Sequence, residues 1–306
     1  MKRLFSVAIS LGVLLLGNIA AAADKLHVVA TTPDLAEFAK RIGGDLVDVN
    51  ALATGVEDIH AVPMRPSFAV LLNRADMVVL QGLEIEHAFL PALLEAARNP
   101  KIVRDADGYI DCSKYVSVLD VPTRIDRALG DQHPMGNPHY NLDPVAMKEA
   151  ARAMEEGFAH NYPEHESTFK TNLAALQADL DKNIARWERE AAPLKGKKIV
   201  SYHPDMVYFA DRFGMETAGT IEIRAGIDPT PGHIEDLIDH MRRDKTDIVV
   251  RERHYPAGLA ETIAQRTGAR LVELPVMVHG VPEATNYVGL IDYDLHAMLK
   301  AAQGGG

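Results

Sequence analysis

Short apolar segments alternate with amphipathic segments through the first half of this chain. The apolar runs predict strands, and the segments with apolar residues three or four positions apart predict helices. The predicted strands are 25–31, 46–52, 77–80 and 115–119, and the predicted helices are 34–42, 66–73 and 87–97. Such alternation is typical of βαβ units that build a mostly parallel sheet.

The same alternation returns in the last third of the chain. The predicted strands there are 198–202, 217–223, 248–250 and 270–274, and the predicted helices are 205–213, 232–243, 256–266 and 283–300. The fold class predicted by this pattern is therefore α/β, with two lobes that each contain a mostly parallel sheet.

The middle of the chain has a different pattern. After a predicted helix at 144–159, a second one runs from Pro163 to about residue 192, with one apolar stripe at spacings of three and four. The stripe consists of Phe169, Leu173, Leu176, Leu180, Ile184 and Trp187. About 28 helical residues span roughly 42 Å, enough to reach across a whole lobe. We predict one long rigid helix between the lobes, with a surface helix on one lobe as the alternative.

The first residues have the order of a secretory signal peptide. Lys2 and Arg3 precede an apolar run at 4–19, and alanines at 20–23 supply a cleavage site after Ala23. The alternative is a membrane anchor, but the run is shorter than the roughly 20 apolar residues of a spanning helix. No Cys follows the run to carry a lipid. We expect a soluble periplasmic protein that begins near Asp24.

These patterns together predict the domain organisation. It comprises a signal peptide at 1–23, a first lobe at 24–160, a connecting helix at 161–195 and a second lobe at 196–306.

Charge and cysteine content narrow the class of protein. The formal net charge is −11, which argues against nucleic-acid binding, where Lys and Arg must neutralise phosphates. An acidic surface suits a protein that collects cations. The single cysteine, Cys112, excludes an internal disulfide and is interpreted as a structural thiol.

Three of the 13 histidines lie where predicted elements meet. His60 follows the strand at 46–52, and His139 comes just before the helix at 144–159. His203 lies at the carboxyl end of the strand at 198–202. Ligands of open α/β sheets bind outside the carboxyl ends of the strands. Neutral imidazole is the commonest protein ligand of zinc-type ions. We therefore predict that the three side chains converge on one metal site, although each alone could be an ordinary loop residue.

Several phrases around these histidines resemble those of the zinc and manganese solute-binding proteins of ABC importers. They are Gly55-Val56-Glu57-Asp58-Ile59-His60, Asn137-Pro138-His139-Tyr140-Asn141-Leu142-Asp143-Pro144 and Ser201-Tyr202-His203. The resemblance implies two α/β lobes joined by one rigid helix and a metal in the interlobe cleft. It also implies that the first lobe supplies His60 and His139, that the second supplies His203, and that the metal goes to a membrane permease.

The fourth ligand is open, because the sequence departs from the resemblance at that point. Many members have an Asp after the last strand, where this chain has Pro275. The candidates are Glu222, Glu252, Glu273, His279 and a water molecule. Glu222 is the first choice. Glu222 and Glu252 both lie at the carboxyl ends of predicted strands, and an ion pair with Arg224 or Arg251 is the alternative. His133, the only histidine between 120 and 136, is interpreted as a loop residue, with an auxiliary donor as the alternative.

The predicted function is capture of a divalent metal and its delivery to the permease of an ABC importer. Zinc is the first choice because imidazoles suit a borderline ion, and manganese, which prefers oxygen ligands, is the second. Copper and nickel would also bind such a site in vitro. The predicted partners are the permease and an upstream metallochaperone, and the predicted state is a monomer.

Three other functions remain as alternatives. The first is a secreted zinc hydrolase, although no His-Glu-x-x-His or Gly-x-Ser-x-Gly phrase occurs in the sequence. The second is a binding protein for an organic metal chelate, and the third is a cell-surface adhesin. We expect no enzymatic activity.

Overall fold

The computed structural model describes residues 25–123, 133–223 and 226–304, and the predicted signal peptide lies outside them. Two four-stranded parallel sheets form the framework. The first has the order β2-β1-β3-β4 and the second the order β6-β5-β7-β8, so the two lobes share one topology. The strands are β1 Leu26–Ala30, β2 Val47–Ala51, β3 Met77–Leu80, β4 Tyr109–Asp111, β5 Lys198–Ser201, β6 Glu216–Thr220, β7 Ile248–Glu252 and β8 Arg270–Leu274. The predicted two-lobed α/β fold is confirmed.

The α-helices of the described residues lie close to the predicted segments. They are α1 Pro33–Gly43, α2 Pro66–Arg74, α3 Leu90–Ala97, α4 Pro144–Asn161, α5 Glu166–Glu190, α6 Val207–Phe213, α7 Pro231–Asp244, α8 Ala257–Thr267 and α9 Tyr287–Ala302. Several begin with proline, which fits the first helical turn because it has no N–H to leave unpaired.

The strand predicted at 115–119 is wrong. The fourth strand of the first sheet is β4, which pairs with β3 from Tyr109 to Asp111. The side chain of Asp111 then accepts a hydrogen bond from the amide of Ser113 and caps a 3₁₀ turn at Cys112–Tyr115. This turn leads the chain out of the sheet before the apolar residues at 116–119 are reached.

Helix α5 carries the predicted apolar stripe. Phe169, Leu176, Leu180, Ile184 and Trp187 are buried, and Leu173 is partly buried. The helix contacts α1 and α4 of the first lobe and α9 near the end of the chain. The indole N–H of Trp187 donates to Asp292 on α9 at 2.6 Å. One apolar core therefore continues from the first sheet through α5 and α9 to the second sheet.

Polar contacts also hold the lobes together. Arg212 on α6 donates two hydrogen bonds to the carboxylate of Asp143, which caps α4, at 2.7 and 2.9 Å. The hydroxyl of Tyr208 donates to the carbonyl of Asn137 at 2.7 Å and accepts from the amide of Leu119 at 3.0 Å. The described residues contain no helix with the length and apolar character needed to cross a bilayer.

Candidate metal centre

Four histidine side chains converge between the two lobes. Ligand atoms of His60, His133, His139 and His203 all lie within 4.8 Å of one another. The Nε2 atoms of His60 and His133 are 3.2 Å apart. The ring centroids of His60, His139 and His203 form a nearly equilateral triangle with sides of 4.9 to 5.1 Å. The three histidines predicted from the sequence are therefore brought together, and a fourth joins them.

Local structure aims the ring of His60 into the cleft. It lies in a 3₁₀ turn at Ile59–Ala61 that Asp58 caps, with one carboxylate oxygen accepting from the backbone amide of His60 at 2.8 Å. The same oxygen lies 2.8 Å from Nδ1 of the ring. A carboxylate on Nδ1 keeps the proton there, so Nε2 presents its lone pair to the cleft.

His139 and His203 are held in the same way. Nδ1 of His139 lies 2.9 Å from the side-chain oxygen of Asn137, and Nδ1 of His203 lies 3.0 Å from a carboxylate oxygen of Glu222. Both rings are almost completely buried, at 4% and 2% exposure. Among the described residues, their Nε2 atoms have no hydrogen-bond partner. A buried nitrogen without a partner is costly unless something else, such as a metal ion, binds it.

His133 is the converging residue for which the sequence interpretation favoured an ordinary loop position, with an auxiliary donor as the alternative. The structure places its Nε2 3.2 Å from Nε2 of His60, so its ring belongs to the cluster. Most of the loop before it, at 124–132, lies outside the described residues. The available sequence signal was its position, six residues before His139 in the segment that leads into the site.

The dimensions of the cluster suit one zinc-type ion. Zn–N distances of about 2.0–2.1 Å in a tetrahedron place the nitrogens roughly 3.4 Å apart, close to the separation of the His60 and His133 Nε2 atoms. The rings of His60, His139 and His203 line a cavity of about 10 Å³. A cavity of that size holds one water-sized occupant and excludes an organic chelate.

Burial keeps two of the imidazoles neutral. It lowers the pKa of His139 well below 6.5, and the neighbouring imidazoles lower it further. Burial, and after it the imidazoles of His60, His203 and His87, lower the pKa of His133 to about 3. Behind His60, burial raises the pKa of Asp58, but the hydrogen bonds from His60 outweigh it and bring the pKa to about 2. His133 and His139 are thus held in the neutral state that metal binding needs, and an ionised carboxylate lies behind His60.

The four residues considered for the fourth position lie outside the cluster of converging histidines. Glu222, the first choice, accepts from Nδ1 of His203 and stands behind that ring. Glu252 is fully buried, and burial together with the carboxyl group of Asp205 raises its pKa well above its usual range. Glu273 pairs with Arg251 and Arg253. His279 is exposed in a turn, with a left-handed backbone φ of 68°. None of these four is among the converging groups of the described residues.

Comparisons with known proteins show which proteins the whole chain is similar to. The family model described as ZnuA, zinc-uptake complex component A periplasmic, matches residues 28–301. The chain is 24% identical to the zinc-binding lipoprotein AdcA of Streptococcus pneumoniae, across 98% of this chain and 61% of AdcA. It therefore spans about three fifths of the length of that relative.

Two further proteins match over nearly their whole length. The manganese ABC transporter substrate-binding lipoprotein PsaA of Streptococcus mitis is 25% identical, across 92% of this chain and 90% of PsaA. The crystal structure of ZnuA superimposes with a TM-score of 0.75 at 25% identity, covering 91% of this chain and all of that one.

Proposed function

Because this chain belongs to the ZnuA family of periplasmic zinc-uptake components, we propose that it captures zinc outside the cytoplasm and delivers it to the permease of an ABC importer. The observation that carries the proposal is the convergence of four imidazoles from two lobes on a cavity sized for one ion. His60, His133 and His139 come from the first lobe and His203 from the second. In this proposal all four bind the metal, and Asp58, Asn137 and Glu222 orient the rings.

The donor set supports zinc over manganese. Four imidazole nitrogens match the tetrahedral preference of zinc, whereas manganese prefers six ligands with several oxygens. Manganese remains the alternative cargo because PsaA, whose name states manganese, matches most of the chain. Metal content after growth with both ions present distinguishes the two.

The two-lobed construction supports capture and release. In the proposal, residues 24–160 and 196–306 are the lobes, and 161–195 is the stiff connection between them. An ion bound by both lobes joins them directly, so the loaded and empty forms can present different surfaces to the permease. An upstream metallochaperone and a monomeric state are parts of the proposal that binding and sedimentation experiments address.

The position outside the cytoplasm follows from the family, whereas the mode of attachment is a proposal. AdcA and PsaA are named as lipoproteins, but this chain has no Cys near the predicted cleavage site that follows the apolar run at 4–19. We propose that the exported protein begins near Asp24 without a lipid. N-terminal sequencing and mass spectrometry of exported protein test this, and an attached lipid would contradict it.

The decisive experiment is the metal content of protein purified without a metal-affinity tag. We expect one zinc per chain, lost on treatment with a strong chelator and regained from a zinc-buffered solution. Substitution of His60, His139 or His203 by alanine should abolish this retention, whereas His240→Ala, at an exposed position on α7, should not. Metal-free protein that takes up no zinc would contradict the proposal.

The hydrolase alternative has lost its support. The matching family consists of uptake components. The converging groups of the described residues are all imidazoles, whereas a zinc hydrolase needs a ligand-free position and a carboxylate base beside it. A peptidase and esterase screen of the zinc-loaded protein should show no turnover.

A further inference from the structure

His254 lies where the narrow metal cavity meets a wider cleft. Its side chain lines the cavity of about 10 Å³ together with His60, His139 and His203. It also lines an adjoining cleft of about 230 Å³, which has Val56 from the first lobe on one side and Arg253 from the second on the other. Val56 is 60% exposed, so this cleft reaches solvent. An ion that moves between solvent and the site by this route passes the ring of His254.

The turn that carries His254 is well held. It follows β7. The amide of Arg253 donates to the carbonyl of Leu274 at 3.1 Å, and the amide of Tyr255 donates to the carbonyl of Glu252 at 3.0 Å. The side chain of Arg251 donates to the carbonyl of Tyr255 at 2.6 Å. The backbone at 254 is therefore fixed beside the site.

The ring of His254, by contrast, has no partner that fixes its orientation. Hydrogen bonds at Nδ1 hold the rings of His60, His139 and His203. Within the described part of the chain, neither ring nitrogen of His254 makes a hydrogen bond, and its ring contact is the tilted ring of Tyr255, 4.3 Å between centroids. A permanent ligand is normally oriented by a second hydrogen bond. For the ring of His254, which lines both the cavity and the cleft, no such hydrogen bond from the described residues fixes one orientation.

Carboxylates from both lobes act on this position. The charges of Asp58, on the first lobe, and of Asp205, on the second, both act on His254, and both residues line the cavity. Two negative groups beside the ring attract a divalent cation to it. Burial lowers the pKa of His254 from its usual value, which favours the neutral imidazole that can bind a metal.

From this arrangement we propose that His254 is a transient metal ligand, which accepts the ion on its way between the cleft and the four-histidine site. The inference rests on the proposed function. An ion leaves a tetrahedral site by exchanging ligands, and a neighbouring imidazole that replaces a lost one lowers the barrier. His254 then accelerates capture and release together, and the equilibrium affinity stays nearly unchanged.

The experiment measures zinc exchange by stopped flow in full-length mature protein. Zinc is mixed with the metal-free form to obtain the association rate, and a competing chelator is mixed with the loaded form to obtain the release rate. His254→Phe keeps an aromatic ring and removes both nitrogens. We expect both rates to fall on the order of tenfold, corresponding to about 1.4 kcal/mol in the barrier, while the dissociation constant changes less than about threefold.

Three further variants separate a donor from a steric gate. His254→Cys restores a metal donor and should recover most of the lost rate. His254→Ala opens the passage without a donor and should remain slow. His240→Phe makes the same chemical change at an exposed site on α7 and should exchange zinc as the wild type does.

The outcomes decide between distinct explanations. Wild-type rates in His254→Phe would overturn the inference and favour entry past His133. Exchange in His254→Ala that is faster than in the wild type would make His254 a gate and also overturn it. A tenfold loss of equilibrium affinity in His254→Phe would identify His254 as a permanent ligand, which would also overturn the inference of a transient one. Wild-type protein that binds no zinc would overturn the proposed function itself, a result that the equilibrium titration shows before any rate is measured.

Discussion

The carboxylate of Glu222 lies 3.0 Å from Nδ1 of His203, and both side chains are buried. Two parts of one lobe, the ends of β5 and β6, meet in this contact. Since Nδ1 is engaged, Nε2 of His203 is the atom left for a metal. In the proposed site, Glu222 therefore orients His203, and His133 takes the fourth position.

The first prediction follows from that contact. Glu222→Gln keeps a hydrogen-bond acceptor for Nδ1 of His203 but removes the negative charge of the carboxylate. The imidazole of His203 then donates its Nε2 lone pair to the metal less strongly. We expect zinc affinity to fall about 10–100-fold, the usual effect of a group behind a ligand. X-ray absorption at the zinc edge should show four nitrogen ligands in both proteins. Glu216→Gln, on an exposed side chain of β6, is the control. An oxygen ligand that disappears in Glu222→Gln would contradict the assignment.

The second prediction concerns His133. Its replacement by alanine removes one of four metal bonds, and we expect affinity to fall by about 100-fold or more, beyond the usual effect of an orienting group. Competition titration with a zinc indicator measures this. His165→Ala, at the start of the long helix, should bind as the wild type does. Unchanged affinity in His133→Ala would return His133 to the status of an ordinary loop residue.

The third prediction concerns Asp34, whose pKa burial raises from 3.8 to about 7. A raised pKa means that the folded protein keeps a proton that the unfolded chain releases, so stability is lost as pH rises toward 7. Asp34→Asn has no such proton. Its free energy of unfolding relative to wild type should therefore rise by about 2–3 kcal/mol between pH 5 and pH 8.

Chemical denaturation of the zinc-free proteins at both pH values measures this difference. Asp239→Asn makes the same change on an exposed residue of α7 and should show no such dependence. A pH-independent difference for Asp34→Asn would show that the carboxyl group is not protonated in the fold.

The fourth prediction concerns motion. Helix α5 is continuous over 25 residues, and both lobes share one apolar core. We expect small-angle scattering curves with and without zinc to superimpose, and hydrogen exchange to slow only around His60, around His139 and in the loop at 275–282. A clear decrease in the radius of gyration on zinc binding would indicate a hinged closure instead.

The fifth prediction tests the polar link between the lobes. Arg212→Gln removes the two charged hydrogen bonds to Asp143. We expect unfolding to become easier by about 1.5–3 kcal/mol, the usual value for hydrogen bonds to charged groups, and zinc affinity to fall because the lobes are less well aligned. Arg243→Gln, at the exposed end of α7, is the control. Wild-type stability in Arg212→Gln would show that the shared core alone aligns the lobes.

The sequence by itself determined the two lobes, the long helix and three of the converging histidines. These features depend on local periodicity, and a stripe such as Phe169 to Trp187 can be buried only as one helix face. The convergence of His60, His139 and His203 was predicted from their positions near the ends of predicted elements, together with the resemblance of the phrases around them.

Only the tertiary structure decided which side chain converges with His60, His139 and His203 and where the fourth strand lies. The fourth strand ends at Asp111 because a side-chain cap turns the chain there, a contact that overrides the apolar run at 116–119. Whether Glu222 faces the cleft or supports His203 depends on the relative position of two strands, and the place of His133 depends on the path of a loop. Both depend on shifts of a few ångströms between distant residues, and the pattern of apolar and polar positions along the chain does not record such shifts.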